Sequence, residues 1–204
     1  MSVTRAIFGL AAASLLTTGY GTPEGDAGGA AEPSFSAGRT AEAGGPGLAR
    51  FGGEFTAYSP RAAAVTYDGQ AVPTGSTVSV SAVQHPAGTD FTLAVSGLQP
   101  EETYGAHLHT QPCGRKPADA GPHYQDEPAP PKSSHDPEYV NDDNEVWLDF
   151  TTDSDGAATT AADVEWQPRE GEADSIVIHS DHTQTAPGEA GAAGTRLACV
   201  NAPL

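Results

Sequence analysis

The sequence predicts an all-β fold, a β-sandwich or Greek-key barrel, and three observations carry that expectation. Short segments alternate apolar with small polar residues, turn signals separate them, and no stretch holds the period of a long amphipathic helix. The 24 glycines and 17 prolines suit a loop-rich β protein better than a helical bundle.

The chain opens with "MSVTRAIFGLAAASLLTTGYG": Arg5, an apolar run from Ile7 to Leu16, then small residues. That is the layout of a secretory signal peptide over residues 1–21, and the run is short for a membrane span. Its end resembles a lipoprotein cleavage box, but Tyr20 stands where lipid attachment needs a cysteine. The expectation is a protein released to the extracellular space or the cell envelope, with no lipid anchor and no membrane span. Residues 22–49 are rich in Gly, Ala, Pro and Glu without an apolar period. Such a tether cannot offset its ordering entropy by burial. The folded domain is expected over residues 50–204.

Within that domain "STVSVSAVQ" alternates valine with small polar residues, so one face can be buried. The segments "DFTLAVSGL", "EVWLDFTT", "DSIVIHS" and "TRLACV" read the same way. The stretches "YDGQ", "SGLQPEE" and "DSDG" supply the turns between strands. Residues 111–144 break the rhythm: they are polar, Pro-rich and too long for a hairpin loop. Long loops of this kind are usually functional or disordered.

With 27 acidic against 9 basic residues, the formal net charge is -18. Nucleic acid and anionic membrane surfaces are excluded as partners, because both need clustered Lys and Arg. The two cysteines, Cys113 and Cys199, read as free thiols in a cytosolic protein and as one disulfide in an exported one.

The chemistry concentrates in the histidines. In "AHLH" a strand places His107 and His109 on one face and Ala106 and Leu108 on the other. Two adjacent imidazoles suit copper or zinc. His123 follows in "GPHYQ", inside the long loop, and His179 ends "SIVIH", sharing a face with Ser175 and Val177. Taken singly, each reads as a polar residue satisfied by a backbone carbonyl.

Taken in order, "HLH", Cys113, "GPHY", "IVIH" and "GTRLAC" resemble the copper,zinc superoxide dismutase family over residues 50–204. The resemblance implies an eight-stranded Greek-key β-barrel with long active-site loops. It implies copper as cofactor on His107, His109, His123 and His179, and a disulfide between Cys113 and Cys199. It makes Arg196 the cation that guides superoxide, with His123 sharing in catalysis as the proton relay. Members of the family occur as monomers and homodimers.

The pattern departs at zinc. Seven residues before "DSDG", where the family has an aspartate ligand, stands Val146, and three earlier stands Asp143. His135, with Asp143 or its acidic neighbours Asp136 and Asp142, is what remains for a substitute site. A copper-only enzyme is the simpler reading. Glu145, Asp149 and Asp181 are then the carboxylates available to orient His123, and His182 reads as a loop residue. His85, in "VQHPAG", reads as a turn residue. The alternative reading is a non-catalytic copper-binding or copper-buffering module on the same barrel. Arg196 separates the two, because a store has no need of a cation beside its metal.

Overall fold

The computed structural model describes residues 47–204. The expected signal peptide, and the expected tether as far as residue 46, lie outside the described residues. Nine strands form: β1 Leu48–Thr56, β2 Ala64–Thr66, β3 Thr77–His85, β4 Gly88–Ser96, β5 Thr103–His109, β6 Phe150–Thr151, β7 Ala158–Val164, β8 Ser175–His179 and β9 Arg196–Asn201. Two of them are minimal, β2 with 3 residues and β6 with 2. β1 begins at Leu48, so the last residues assigned to the tether are strand residues. The segment "EVWLDFTT" contributes only the short β6, because Glu145 to Leu148 run as loop beside β5.

The strands pair in the order β6-β5-β8-β9-β2-β1-β3-β4-β7. Consecutive strands pair as β1/β2, β3/β4, β5/β6 and β8/β9, while longer crossovers lay β3 on β1, β7 on β4 and β8 on β5, as Greek-key connections require. The two ends of the sheet approach one another: Thr160 Oγ1 on β7 donates to the Asp149 carbonyl, next to β6, at 3.0 Å. The result is a nearly closed barrel.

The alternation read from the sequence decides which residues fill it. Ala106 and Leu108 on β5, Ile176 and Ile178 on β8, and Ala198 and Val200 on β9 all belong to one buried core. Each buried Leu or Ile side chain contributes about 2 kcal/mol relative to exposure. The opposite faces of these three strands are largely covered as well. β8 is buried along its whole length, because the long loops lie over it. His107, His109, Val177 and Cys199 sit on that outer, covered face, and only such a double cover allows two histidines to be fully buried.

Candidate metal centre

β5 and β8 run antiparallel with Gly105 opposite His179, His107 opposite Val177 and His109 opposite Ser175. That register puts His107 and His109 side by side and brings His179 onto the same face, opposite Gly105 and two residues along from His107. Between Ile178 and His179 the ladder to β9 shifts, and His179 pairs with Arg196.

The loop after β5 folds back on its own strand. Thr110 N–H donates to the Pro122 carbonyl at 3.1 Å, and Tyr124 N–H to the Leu108 carbonyl at 2.8 Å. His123 is thereby bridged to His109, and Trp147 to His107 on the other side. The Cys113–Cys199 disulfide, spanning 86 residues, ties this loop to β9. Ala120, Val177 and Cys199 form a small apolar cluster beneath it.

These constraints converge on one point. One nitrogen from each of His107, His109, His123 and His179 lies within 4.8 Å of the others. The ring centroids of His107 and His123 are 4.1 Å apart, and those of His107 and His179 4.9 Å. His109 Nδ1 lies 3.0 Å from the Gly121 carbonyl, which can only accept, so its Nε2 is a bare lone pair. His123 Nδ1 lies 2.8 Å from Glu145 Oε2, and His107 Nε2 lies 2.7 Å from Thr183 Oγ1. His179 Nε2 faces His109 Nε2 at 3.4 Å, while the Nδ1 atoms of His107 and His179 are buried without hydrogen-bond partners. Buried lone pairs crowded in this way fit a bound cation, and imidazoles are the ligands copper and zinc accept.

The electrostatics point the same way. His107 is held well below the ordinary imidazole range by burial first, and then by the coulombic cost of placing a proton beside the imidazoles of His123, His179 and His109 and the Arg196 guanidinium. His109 is lowered for the same reasons, burial first. His179 is pushed down to about 3 by burial first, and then by the coulombic cost of a proton beside the His123 imidazole and the Arg196 guanidinium. The Gly194 carbonyl acts in the other direction on His179, although Nδ1 makes no hydrogen bond of good geometry. Rings kept neutral in this way are available as ligands.

A cavity of about 690 Å³ opens beside His123, with Glu145, the Pro-rich stretch Pro128–Lys132 and Arg196 on its walls. The Arg196 guanidinium is half-buried and donates to the Pro117 carbonyl at 3.1 Å. Among the described residues it has no carboxylate within ion-pair distance. Tyr67, pushed up to about 12 by burial and the nearby Asp119, stays a phenol and donates to the Gly114 carbonyl at 3.0 Å.

The family described as copper/zinc superoxide dismutase matches residues 75–202, more than half of the sequence. The chain belongs to the copper/zinc superoxide dismutase family. A search of curated proteins gives no match. Among solved structures, a Cu/Zn superoxide dismutase from Brucella abortus is 22% identical with a TM-score of 0.45, covering 61% of this chain and 86% of that one. A single mutant of an SOD-like protein from Bacillus subtilis is 14% identical with a TM-score of 0.46, covering 70% and 98%.

Within this superoxide dismutase family member, the residues nominated for zinc do not join the cluster. Among the described residues, the four histidines form the metal-donor group, and His135 and Asp143 stand outside it. His135 spends Nδ1 on the Ala190 carbonyl at 2.9 Å. Asp143 is exposed, and its carbonyl receives Trp166 Nε1 at 2.7 Å. Val146 is fully buried in the core. Of the three carboxylates proposed to orient His123, Glu145 is the one that touches it. Its Oε2 also accepts from Trp147 Nε1 at 2.9 Å, and its Oε1 from Gln125 Nε2 at 2.8 Å. Asp149 instead faces His107 through Thr183, and Asp181 receives the Ser180 hydroxyl. His182 donates to the Phe150 carbonyl at 3.0 Å, and His85 pairs with Asp90 across the β3–β4 turn at 3.2 Å.

Sequence reasoning missed Thr183, Trp147 and Gln125. The last two flank segments already under suspicion, and a search for donors near Glu145 would have raised them. Thr183 carries no such signal, because nothing in "HSDHTQT" shows that the loop turns back over His107.

Proposed function

We propose that the chain is an exported superoxide dismutase working with copper alone, held by His107, His109, His123 and His179. The observation that carries this reading is the meeting of four imidazole nitrogens within 4.8 Å, beside a cavity walled by His123 and Arg196. Copper bound there supplies the one-electron Cu(II)/Cu(I) couple that converting superoxide to oxygen and hydrogen peroxide requires, and zinc has none.

The side chains do the rest. Arg196 gives an anion local attraction against a formal charge of -18, and the Pro117 carbonyl holds its fork in place. His123 keeps its Nδ1 proton on Glu145, which leaves Nε2 as the nitrogen that would hold copper, and Nε2 could carry a proton towards the peroxide product only when it is not bound to the metal. The imidazolium so formed has a carboxylate 2.8 Å away as counterion. Glu145, accepting from three donors, stands at the nitrogen where a second metal would have to bind. That supports a zinc-free site. The signal-peptide pattern and the disulfide support export, since disulfides persist in oxidising compartments.

The test is superoxide decay catalysed by the domain loaded with copper and stripped of zinc. Fast decay, abolished by His107→Ala and slowed by Arg196→Ala, is the expected result. Copper uptake without decay, unchanged by added zinc, would leave a copper-holding module. Decay that returns only with zinc would overturn the copper-only reading.

A further inference from the structure

We infer that Thr183, backed by Asp149, fixes the tautomer of His107 and so decides which of its nitrogens faces the metal. The purpose of this device rests on the proposed copper site, whereas its geometry does not. His107 lies on β5, Asp149 just before β6, and Thr183 in the loop after β8, so three separate segments meet at one ring nitrogen.

Thr183 Oγ1 lies 2.7 Å from Asp149 Oδ1 and 2.7 Å from His107 Nε2. A hydroxyl has one proton, and an ionised carboxylate can only accept, so that proton goes to Asp149. The hydroxyl is left with lone pairs, and His107 must donate to them through Nε2–H. Asp149 cannot turn away, because its Oδ2 accepts the Thr183 backbone N–H at 2.7 Å. His107 Nδ1 is then the bare nitrogen, and it is, with His179 Nδ1, one of two buried side-chain atoms among the described residues that lack any hydrogen-bond partner. The carboxylate, 4.0 Å from Nε2, polarises the ring through the hydroxyl and makes Nδ1 a better donor. Thr183 is a positioning residue: it acts on the ligand and touches neither substrate nor metal.

The measurement is nitrogen NMR of the His107 ring in the metal-free chain. The native protein is expected to show Nε2 protonated and Nδ1 bare, with Thr183→Ser the same and Thr183→Val shifted towards protonated Nδ1. Copper competition titrations are then expected to give a loss of about 10- to 100-fold in Cu(II) affinity for Thr183→Val. Thr183→Ser should restore the native value, and Asp149→Asn, which removes charge but not shape, should fall between. Serine rescue distinguishes a hydroxyl role from mere packing. A native His107 protonated at Nδ1, or Thr183→Val binding Cu(II) as tightly as the native chain, would overturn the inference. Should the native chain take up no Cu(II), the proposed function fails while the NMR readout still judges the tautomer.

Discussion

Glu145 Oε2 lies 2.8 Å from His123 Nδ1, and the carboxylate that makes this contact is itself almost completely buried. A buried charge persists only where every lone pair it turns inward is met, and here three donors meet it. Glu145→Gln should therefore be costly despite its near-identical shape. The new amide would set an N–H₂ against that of Gln125, which cannot flip freely because its Oε1 already accepts from Ala129 N–H at 2.9 Å. The expected loss is about 1–3 kcal/mol in denaturant unfolding. Copper affinity should fall about tenfold or more, read by competition titration, because His123 loses the acceptor that fixes its ring.

The disulfide makes a different prediction. Cys113 and Cys199 close a loop of 86 residues, worth about 4 to 5 kcal/mol in the chain-entropy model. The Cys113→Ser, Cys199→Ala double variant should lose stability on that scale in thermal unfolding. Its catalytic loss should exceed its copper loss. The four histidines are placed by β5, β8 and the Pro122–Leu108 hairpin contacts, which survive, whereas Arg196 leans on the Pro117 carbonyl of the disulfide-tied loop. Copper stoichiometry near native, with a reduced superoxide decay rate, is the signature to look for.

The depressed histidines set a direction for pH. His107, His109 and His179 bind protons less readily in the folded chain than the ordinary value of 6.5. Above that value the ring is neutral in both states and costs nothing. Below it the unfolded chain takes up protons that the folded chain refuses, so stability falls as pH falls, for His179 down to about 3. Each such histidine contributes a slope of about 1.4 kcal/mol per pH unit inside its window. The metal-free domain should lose stability steadily below about pH 6.5, measured as urea midpoints across pH. His179→Gln should flatten that slope.

The alternation in "AHLH" and "SIVIH" was enough to assign the inward faces of β5 and β8, because burial on a barrel wall follows a period of two. The order of histidines and cysteines was enough to pick out the four histidines that the fold brings together. What was not legible has physical causes. β1 carries Gly52 and Gly53 at φ of 137° and 151°, which hides its alternation. β7, "ATTAADV", buries small residues on a half-exposed face and lacks any apolar signature. The hydrogen-bond partners of these histidines, Glu145 for His123 and Thr183 for His107, depend on how two long loops return to β5, and local pattern does not encode that return.

Gly105 shows how tightly one of those loops is seated. It pairs with His179 on β8, and a Cβ there would fall 2.6 Å from the Asp181 carbonyl oxygen, 2.9 Å from Ala193 Cβ and 3.4 Å from Asp149 Oδ1. The first of these contacts is with backbone, and Asp181 is itself bonded to the Ala193 carbonyl at 2.9 Å. The loop therefore has to move outwards as a unit, carrying Thr183 away from Asp149 and His107. Gly105→Ala should cost about 1–3 kcal/mol of stability, as overpacking does, and weaken Cu(II) binding with all four ligands still in place. Adding Ala193→Gly removes the 2.9 Å contact and leaves the 2.6 Å one, so the double variant should recover only part of each loss. Unfolding curves and copper titrations of the two single variants and the double variant measure this. Full recovery would mean that the Ala193 side chain alone, and not the Asp181 backbone, sets the position of the loop.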